Sequence, residues 1–256
     1  MAECYAVVNQ KGGVAKTTTV INLGAVAALE GHSVLIVDAD AQGNATSGLG
    51  IHRDAIDYCL YDLIAPADGG PAIDEIILPT STSNLDVLPA TLNLAGAQMV
   101  LANAMARDLR LRRALEPIAN AYDIILIDTA PSLGLLTINA LAAADKVLIP
   151  MQCEYYAMEG LSQLLHIIAM VQAEINPALT IAGAVLTMYD ARTNLAEEVA
   201  QEVRQNFPGR TYQAKVPRNV RLAEAPSHGL PAVVYDKHCP GSAAYRRLYW
   251  EVFKDA

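Results

Sequence analysis

The chain has 256 residues, of which 53% are hydrophobic and 18% are charged, so it can bury a sizeable core and is not expected to be disordered. Its 18 Lys and Arg against 27 Asp and Glu give a formal net charge of −9, which disfavours a protein coated in nucleic acid but permits a local basic patch. The four cysteines are far apart and form no C-x-x-C pair, so neither a disulfide framework nor a zinc site is expected.

Short apolar runs alternate with longer helical patterns along the chain, an order typical of βαβ units. The runs are nearly continuous in Val, Ile and Leu, as in strands covered on both faces. Strands are predicted at residues 4–9, 33–40, 85–89, 123–130, 146–151 and 181–189. Helices are predicted at 16–30, 94–120, 134–144, 157–175, 194–206 and 241–254, with a loop at 65–74. We therefore expect one α/β domain over residues 1–256, with a mostly parallel twisted sheet and helices on both faces.

A glycine-rich loop between the first strand and the first helix reads NQKGGVAKTTT over residues 9–19. Gly12 and Gly13 permit a tight turn whose backbone N–H groups face an anion, and the start of the helix adds a favourable dipole. Lys16 is expected to reach the β- and γ-phosphates of a nucleotide, and the hydroxyl of Thr17 to bind Mg²⁺. The alternative for this loop alone is an ordinary Gly-rich turn that opens a helix.

Three aspartates end two of the buried strands. Asp38 and Asp40 lie two residues apart and therefore on one face, and Asp128 ends the strand at 123–130. Ligands of parallel sheets bind outside the carboxyl ends of the strands. One of the first two carboxylates is expected to support Mg²⁺ through water and the other to orient an attacking water, while Asp128 supplies a second magnesium-shell group. Each aspartate alone is equally compatible with a helix cap, but with the lysine loop they predict a P-loop NTPase.

Several longer stretches carry a more specific pattern. The loop KGGVAKT fits K-G-G-x-x-K-[ST], a deviant Walker A motif with an extra lysine, here Lys11. Later stretches read VDADAQGNATSGLG, DTAPSLGLLTINAL, QCEYYAMEGLSQLL and VPRNVRLAEAPSHGLP. Together they resemble the ParA/MinD class of ATPases and, more closely, the chromosomal ParA proteins often called Soj. The resemblance runs from about residue 4 to residue 250.

The resemblance implies an ATP- and Mg²⁺-dependent ATPase that forms a face-to-face homodimer when it binds ATP. Lys11, Lys16 and Asp40 are the implied catalytic residues, with Lys11 reaching across to the partner's phosphates. The implied magnesium residues are Thr17, Asp38 and Asp128. The implied nucleotide contacts are Lys11, Gly12, Gly13, Val14, Ala15, Lys16, Thr17 and Thr18, with Met188 and Pro217 beside the adenine. For the last two, roles in the core and in a turn are an open alternative.

The resemblance also implies that the ATP dimer binds double-stranded DNA without sequence preference, through arginines outside the ATP site. The matching positions are Arg192 and Arg221, with Arg218 as a weaker third. Such contacts require only positive charge and reach. The alternative is that these arginines pair with Asp and Glu of the same chain. A ParB-like protein is the implied partner that stimulates hydrolysis, and association with the nucleoid is expected in the ATP state.

A second group of arginines lies at 107–113, where Arg107, Arg110, Arg112 and Arg113 fall within seven residues. DNA contact and a solvated helix face are both open for this group, and the family offers no clear match. Ala15 is the main departure from the family, whose members usually carry Gly there. If the position requires a positive φ or a close approach to phosphate, its methyl group costs about 1 kcal/mol or crowds the nucleotide. We therefore expect weaker or slower ATP handling, not its loss.

Three other functions fit parts of the pattern. A MinD-like membrane ATPase needs a basic amphipathic C-terminal tail, whereas AYRRLYWEVFKDA is more easily interpreted as a packed helix. An iron–sulfur reductase or metallocluster carrier needs paired cysteines, and Cys153 has no near partner in the sequence. A small-molecule ligase or kinase on the same scaffold is disfavoured by the end-to-end resemblance. Without a leader or an apolar run of about 18 residues, a cytoplasmic protein with no stable membrane association is expected.

Overall fold

The computed structural model describes residues 2–65, 70–154 and 160–254. Within these ranges eight strands form one sheet in the order β3-β4-β2-β5-β1-β6-β7-β8. The pairings are parallel except that β3 runs antiparallel to β4. The strands are β1 (Glu3–Val7), β2 (Val34–Ala39), β3 (Leu78–Pro79), β4 (Leu85–Leu88), β5 (Ile124–Thr129), β6 (Lys146–Gln152), β7 (Thr180–Tyr189) and β8 (Thr211–Pro217).

Helices cover both faces of this sheet. They are α1 (Lys16–Leu29), α2 (Asn44–Gly48), α3 (Leu60–Ile64), α4 (Ala97–Leu101), α5 (Arg110–Leu115), α6 (Leu135–Ala143), α7 (Leu161–Glu174), α8 (Asn194–Asn206), α9 (Val220–Glu224), α10 (Ala232–Tyr235) and α11 (Pro240–Phe253). One core packs α5, α6, α7 and α8 on the sheet, and the other packs α1, α9 and α11 on the opposite face. The predicted α/β class is therefore confirmed. In the part of the chain that is described, no helix is long and apolar enough to cross a bilayer.

The predicted elements differ from the observed ones in one long segment and at the two edges of the sheet. The predicted helix at 94–120 is wrong, because the segment divides into α4, α5 and short 3-10 turns. Ala106 interrupts it with a left-handed φ of 51°, and Pro117 lies in the 3-10 turn that follows α5. The sequence interpretation missed β3 and β8, the two edge strands of the sheet. Residues 66–69 of the predicted loop and 157–159 of a predicted helix lie outside the described residues.

The parallel arrangement gathers the candidate residues at one edge of the sheet. Strands β1, β2, β5 and β7 all end there; β2 and β5 are buried throughout, β1 is buried after its first residue, and β7 is buried in its central part. In the register of β2 and β5, Asp38 lies directly opposite Asp128. The register of β1 and β5 places Val7, the last residue of β1, opposite Asp128 as well. The glycine-rich loop therefore starts beside both carboxylates.

Candidate nucleotide site

The loop after β1 is fixed at its start by an asparagine. The Asn9 side chain donates to the Pro150 carbonyl at 2.7 Å and accepts from the Lys11 N–H at 2.9 Å. Farther along, the Thr187 hydroxyl donates to the Val14 carbonyl at 3.1 Å, which ties the loop to β7. These contacts hold the loop against two neighbouring strands before any ligand binds. No pattern in the sequence pointed to Asn9 or Thr187.

The loop turns through two left-handed residues. Gly13 has a φ of +75°, which glycine adopts without cost. Ala15 has a φ of 64° and a ψ of 33°, and it is the residue immediately before α1. The Ala15 carbonyl accepts the Thr19 N–H at 2.9 Å, so the left-handed turn leads directly into the helix. Position 15 therefore has the positive φ on which the predicted cost depends, and its methyl group strains the loop.

Lys16 lies under this loop. Its side chain is only 7% exposed, and Nζ donates to the Lys11 carbonyl at 3.2 Å. Burial lowers the pKa of Lys16, while the nearby carboxylates Asp128 and Asp40 act in the opposite direction. A buried ammonium with two anionic neighbours is arranged to meet additional negative charge.

Two buried carboxylates face each other beside this lysine. The Thr17 hydroxyl donates to Asp128 Oδ2 at 2.7 Å, and Asp128 Oδ1 is buried without a hydrogen-bond partner in the described structure. Asp38 accepts the N–H and the hydroxyl of Thr46 at 2.8 and 2.7 Å. Burial raises the pKa of Asp38 to about 6. Burial, and then the charge of Asp38, raises the pKa of Asp128 well above its ordinary value.

These oxygens fit a magnesium ion. Among the described residues, no group of three or more His, Cys, Asp or Glu side chains is placed to hold a metal, so the site is not an all-protein cage. Mg²⁺ usually binds one or two carboxylates and keeps its other positions for water and phosphate oxygens. The free Oδ1 of Asp128 and the Thr17 hydroxyl provide oxygens of this kind. A cation there also offsets the repulsion between Asp38 and Asp128.

Two adjoining cavities open above the loop. The first has a volume of about 390 Å³ and is the more polar of the two; it is lined by Gly12, Gly13, Ala15, Lys16, Thr17, Thr18, Asp40, Gln42, Asn44, Thr129, Pro131 and Met188. The second has a volume of about 270 Å³ and is more apolar; it is lined by Ala15, Thr18, Met188, Val216, Pro217, Arg218, Asn219, Leu222 and Ala223. A polar compartment beside an apolar one matches the phosphates and the base of a nucleotide.

Most of the predicted nucleotide contacts come together around these cavities. Met188 and Pro217, which are far apart in the sequence, meet in the apolar one. Asp40 lies in the polar one, and its Oδ1 accepts the Gln42 N–H at 3.0 Å. Val14 is buried beneath the loop and does not line either cavity. Lys11 is half-buried at the start of the loop and also lies outside both linings.

The three candidate DNA-binding arginines each pair with a carboxylate of the same chain. Arg192 binds Asp190 through Nε and Nη2 at 2.9 and 2.7 Å, and these hydrogen bonds lower the pKa of Asp190 to about 2. Arg221 pairs with Glu224 at 2.8 Å and with Asp236 at 3.4 Å, and Arg218 with Glu154 at 3.1 Å. All three arginines follow β7 or β8, at the edge of the sheet that carries the nucleotide site.

The group at 107–113 lies elsewhere. Leu111 of α5 belongs to one core and Leu222 of α9 to the other, so this group is across the sheet from Arg221. Arg107 and Arg110 donate to backbone carbonyls of the preceding turns at 2.6 and 3.3 Å. Two of the four guanidinium groups are therefore engaged in fixing local structure.

Comparisons with known proteins agree with this geometry. A family model described as an AAA domain matches residues 2–181. The sporulation initiation inhibitor protein Soj of Bacillus subtilis (strain 168) is 54% identical over 252 residues, which cover 98% of both chains. The chromosome partitioning protein ParA of Myxococcus xanthus (strain DK1622) is 51% identical over 246 residues, covering 96% of this chain and 86% of that protein.

Among solved structures, cobyrinic acid a,c-diamide synthase from Mycobacterium smegmatis, with bound ADP and magnesium, has a TM-score of 0.85 and 35% sequence identity. The match covers 97% of this chain and 93% of that chain. A nucleotide scaffold is thus common to both proteins, whereas the higher identities are to partitioning proteins. The chain belongs to the ParA/Soj family of chromosome-partitioning ATPases.

Proposed function

We propose that the chain hydrolyses ATP to ADP and phosphate, dimerises when ATP binds, and in that state binds DNA without sequence preference to drive DNA segregation. The observation that carries the proposal is the buried cluster of Lys16, Asp38 and Asp128 under a glycine-rich loop. A cluster with two facing carboxylates is costly to bury unless it serves a charged ligand. The family relatives named ParA and Soj support DNA segregation as the task.

The residues of the site have separate roles in this proposal. The loop N–H groups and Lys16 bind the phosphates, and Thr17, Asp38 and Asp128 hold the magnesium. Mg²⁺, when bound, neutralises charge that develops on the phosphate oxygens. Asp40 lines the polar cavity and is free on one oxygen to orient a water molecule. Met188 and Pro217 pack against the base in the apolar cavity.

In this proposal the Lys11 side chain contacts the nucleotide of the second copy in the dimer and not the nucleotide of its own chain. Its backbone is fixed by Asn9, and its side chain lies outside the linings of both cavities. In the proposed dimer, the Lys11 side chain contacts phosphates of the nucleotide that the second copy binds. ATP-dependent dimerisation then joins two sets of arginines on one DNA-binding face, which raises their combined affinity. A ParB-like protein is the proposed partner that accelerates hydrolysis.

DNA binding by Arg192→Ala, Arg221→Ala and the double variant, each with and without ATP, tests this proposal. The matched control is Arg113→Ala, an exposed arginine that forms no ion pair among the described residues and lies across the sheet from Arg221. We expect each of the first two variants to bind DNA more weakly, while the control binds normally. The slope of log affinity against log salt concentration should be smaller by about two units, because each substitution removes two cations from the dimer. Binding by the wild type that ignores ATP, or full binding by the double variant, would contradict the proposal.

A further inference from the structure

Helix α2 is hydrogen-bonded directly to one carboxylate of the nucleotide site, Asp38. Thr46, at its centre, is fully buried and donates both its N–H and its hydroxyl to Asp38. The same hydroxyl accepts the Ala90 N–H at 3.0 Å, beyond the end of β4. A shift of the Asp38 carboxylate therefore displaces Thr46 and, with it, the whole short helix.

The chain that follows α2 contacts the turn after α9 at Gly50 and Gly229, and no flexible side chain lies between these two glycines. A Cβ on Gly229 would lie 2.6 Å from the Cα of Gly50, and a Cβ on Gly50 would lie 3.0 Å from the carbonyl oxygen of Gly229. Both glycines have left-handed backbones, with φ of +84° at Gly50 and +64° at Gly229. Because the backbones of Gly50 and Gly229 are in direct contact, a displacement of one of these two segments is transmitted to the other.

The turn that ends at Gly229 follows directly after α9, the helix that contains Arg221. α9 ends at Glu224, the ion-pair partner of Arg221, and a 3-10 turn over Ala225–His228 follows at once. The Gly229 N–H donates to the Pro226 carbonyl at 3.0 Å, which closes this turn. Arg221 and Gly229 therefore belong to one hydrogen-bonded unit, only eight positions apart.

We propose that residues 44–50 link the two sites, so that the ligand state at Asp38 sets the position of Arg221 through the Gly50–Gly229 contact. This inference rests on the proposed function and adds the route by which ATP controls DNA binding. Gly50 and Gly229 are positioning residues, since neither lines the nucleotide cavities. Coupling of this kind typically changes an affinity by about 5- to 150-fold.

Gly229→Ala and the milder Gly50→Ala test the contact. The matched control is Gly31→Ala, which places an alanine at a φ of +95° with no atom within 4 Å of its Cβ, so it introduces backbone strain without a contact. The ratio of DNA affinity with ATP to that without is expected to fall about tenfold in the first two variants. The affinity for ATP in the absence of DNA is expected to change less than about twofold, and the control is expected to keep the wild-type ratio.

Hydrogen exchange in the unmodified protein gives a readout that does not depend on the variants folding. Binding of a non-hydrolysable ATP analogue with Mg²⁺ is expected to change exchange at the Gly229 and Leu230 amides, which donate to Pro226 and Ala225. Unchanged exchange there, or wild-type ATP dependence in both glycine variants, would overturn the link. An equal loss of ATP dependence in the Gly31 control would do the same. Failure of the wild type itself to bind DNA in response to ATP would instead refute the proposed function.

Discussion

The nucleotide site and the surface that carries Arg192 and Arg221, here called the arginine surface, both contain charged side chains. These side chains are buried at the first and exposed at the second. Lys16, Asp38 and Asp128 are buried, and burial dominates the pKa of each. Arg192 and Arg221 are exposed and each has a nearby carboxylate of the same chain. Buried charges interact strongly and need a counter-charge, whereas exposed ion pairs are weak and screened by salt. Substitutions at the nucleotide site should therefore have large effects on ATP turnover and stability. Substitutions at the arginine surface should change the affinity for DNA only by small factors.

The largest effect is expected from Lys16→Ala. Among the described residues, Lys16 is the one buried cation, and its removal leaves Asp40 and Asp128 facing the phosphates without compensation. We expect kcat/KM for ATP to fall by about 10²- to 10³-fold. The control is Lys11→Ala, which should still bind ATP as a monomer but fail to dimerise. If Lys16→Ala hydrolyses ATP nearly as well as the wild type, the buried cluster is not the phosphate site.

The pH dependence of stability tests the burial of Asp38 directly. Because its folded pKa is raised to about 6, the folded chain binds this proton more tightly than the unfolded chain, whose Asp pKa is about 3.9. The stabilising contribution of this proton is complete below about pH 4 and is lost as the pH rises through 6. Asp38→Asn should therefore gain stability relative to the wild type, by on the order of 2 kcal/mol, as the pH rises from 4 to 7.

Urea unfolding without nucleotide or magnesium measures this difference. The exposed Asp74→Asn serves as the control, since it removes a carboxylate without removing a buried one. A wild-type minus Asp38→Asn difference that is flat between pH 4 and 7 would mean that Asp38 is solvated in solution. The difference in burial between the charged side chains of the nucleotide site and those of the arginine surface would then be smaller than the structure indicates.

The same contrast explains which features the sequence predicted. Asp38, Asp40 and Asp128 follow apolar runs typical of buried parallel strands. Because the carboxyl ends of parallel strands lie at one edge of the sheet, the proximity of these aspartates could be predicted. Thr46 and Asn9 could not, because their roles depend on hydrogen bonds to residues distant in the sequence. Pairing of these arginines with carboxylates of the same chain was an open alternative, but the sequence could not identify Glu154 and Asp236, which reach Arg218 and Arg221 only through the fold. The edge strand β8 was missed because its alternation of buried and exposed residues is short and polar.

A smaller effect is expected from Ala15→Gly. The left-handed φ of 64° strains an alanine and not a glycine, so the variant should be more stable by about 0.5–1 kcal/mol. Ala106→Gly is a matched control, because Ala106 also has a positive φ, of 51°, but lies in the α4–α5 segment. Both variants should gain stability in thermal unfolding, whereas only Ala15→Gly should bind ATP more tightly or turn over faster. Equal ATP affinity and turnover in the wild type and Ala15→Gly would make the departure from the family neutral for function.

The smallest effect is expected at Arg192, for which Asp190 would compete with DNA phosphates in the proposed DNA-bound state. Asp190 holds both Nε and Nη2, the atoms through which a guanidinium would bind a phosphate. Asp190→Asn weakens that competition, and we expect about a two- to threefold tighter affinity for DNA in the presence of ATP, because exposed pairs contribute little. Asp57→Asn changes the net charge equally at an exposed site and should give a smaller change. If both variants gain equally, the effect is one of overall charge, and Arg192 is already free to bind DNA in the wild type.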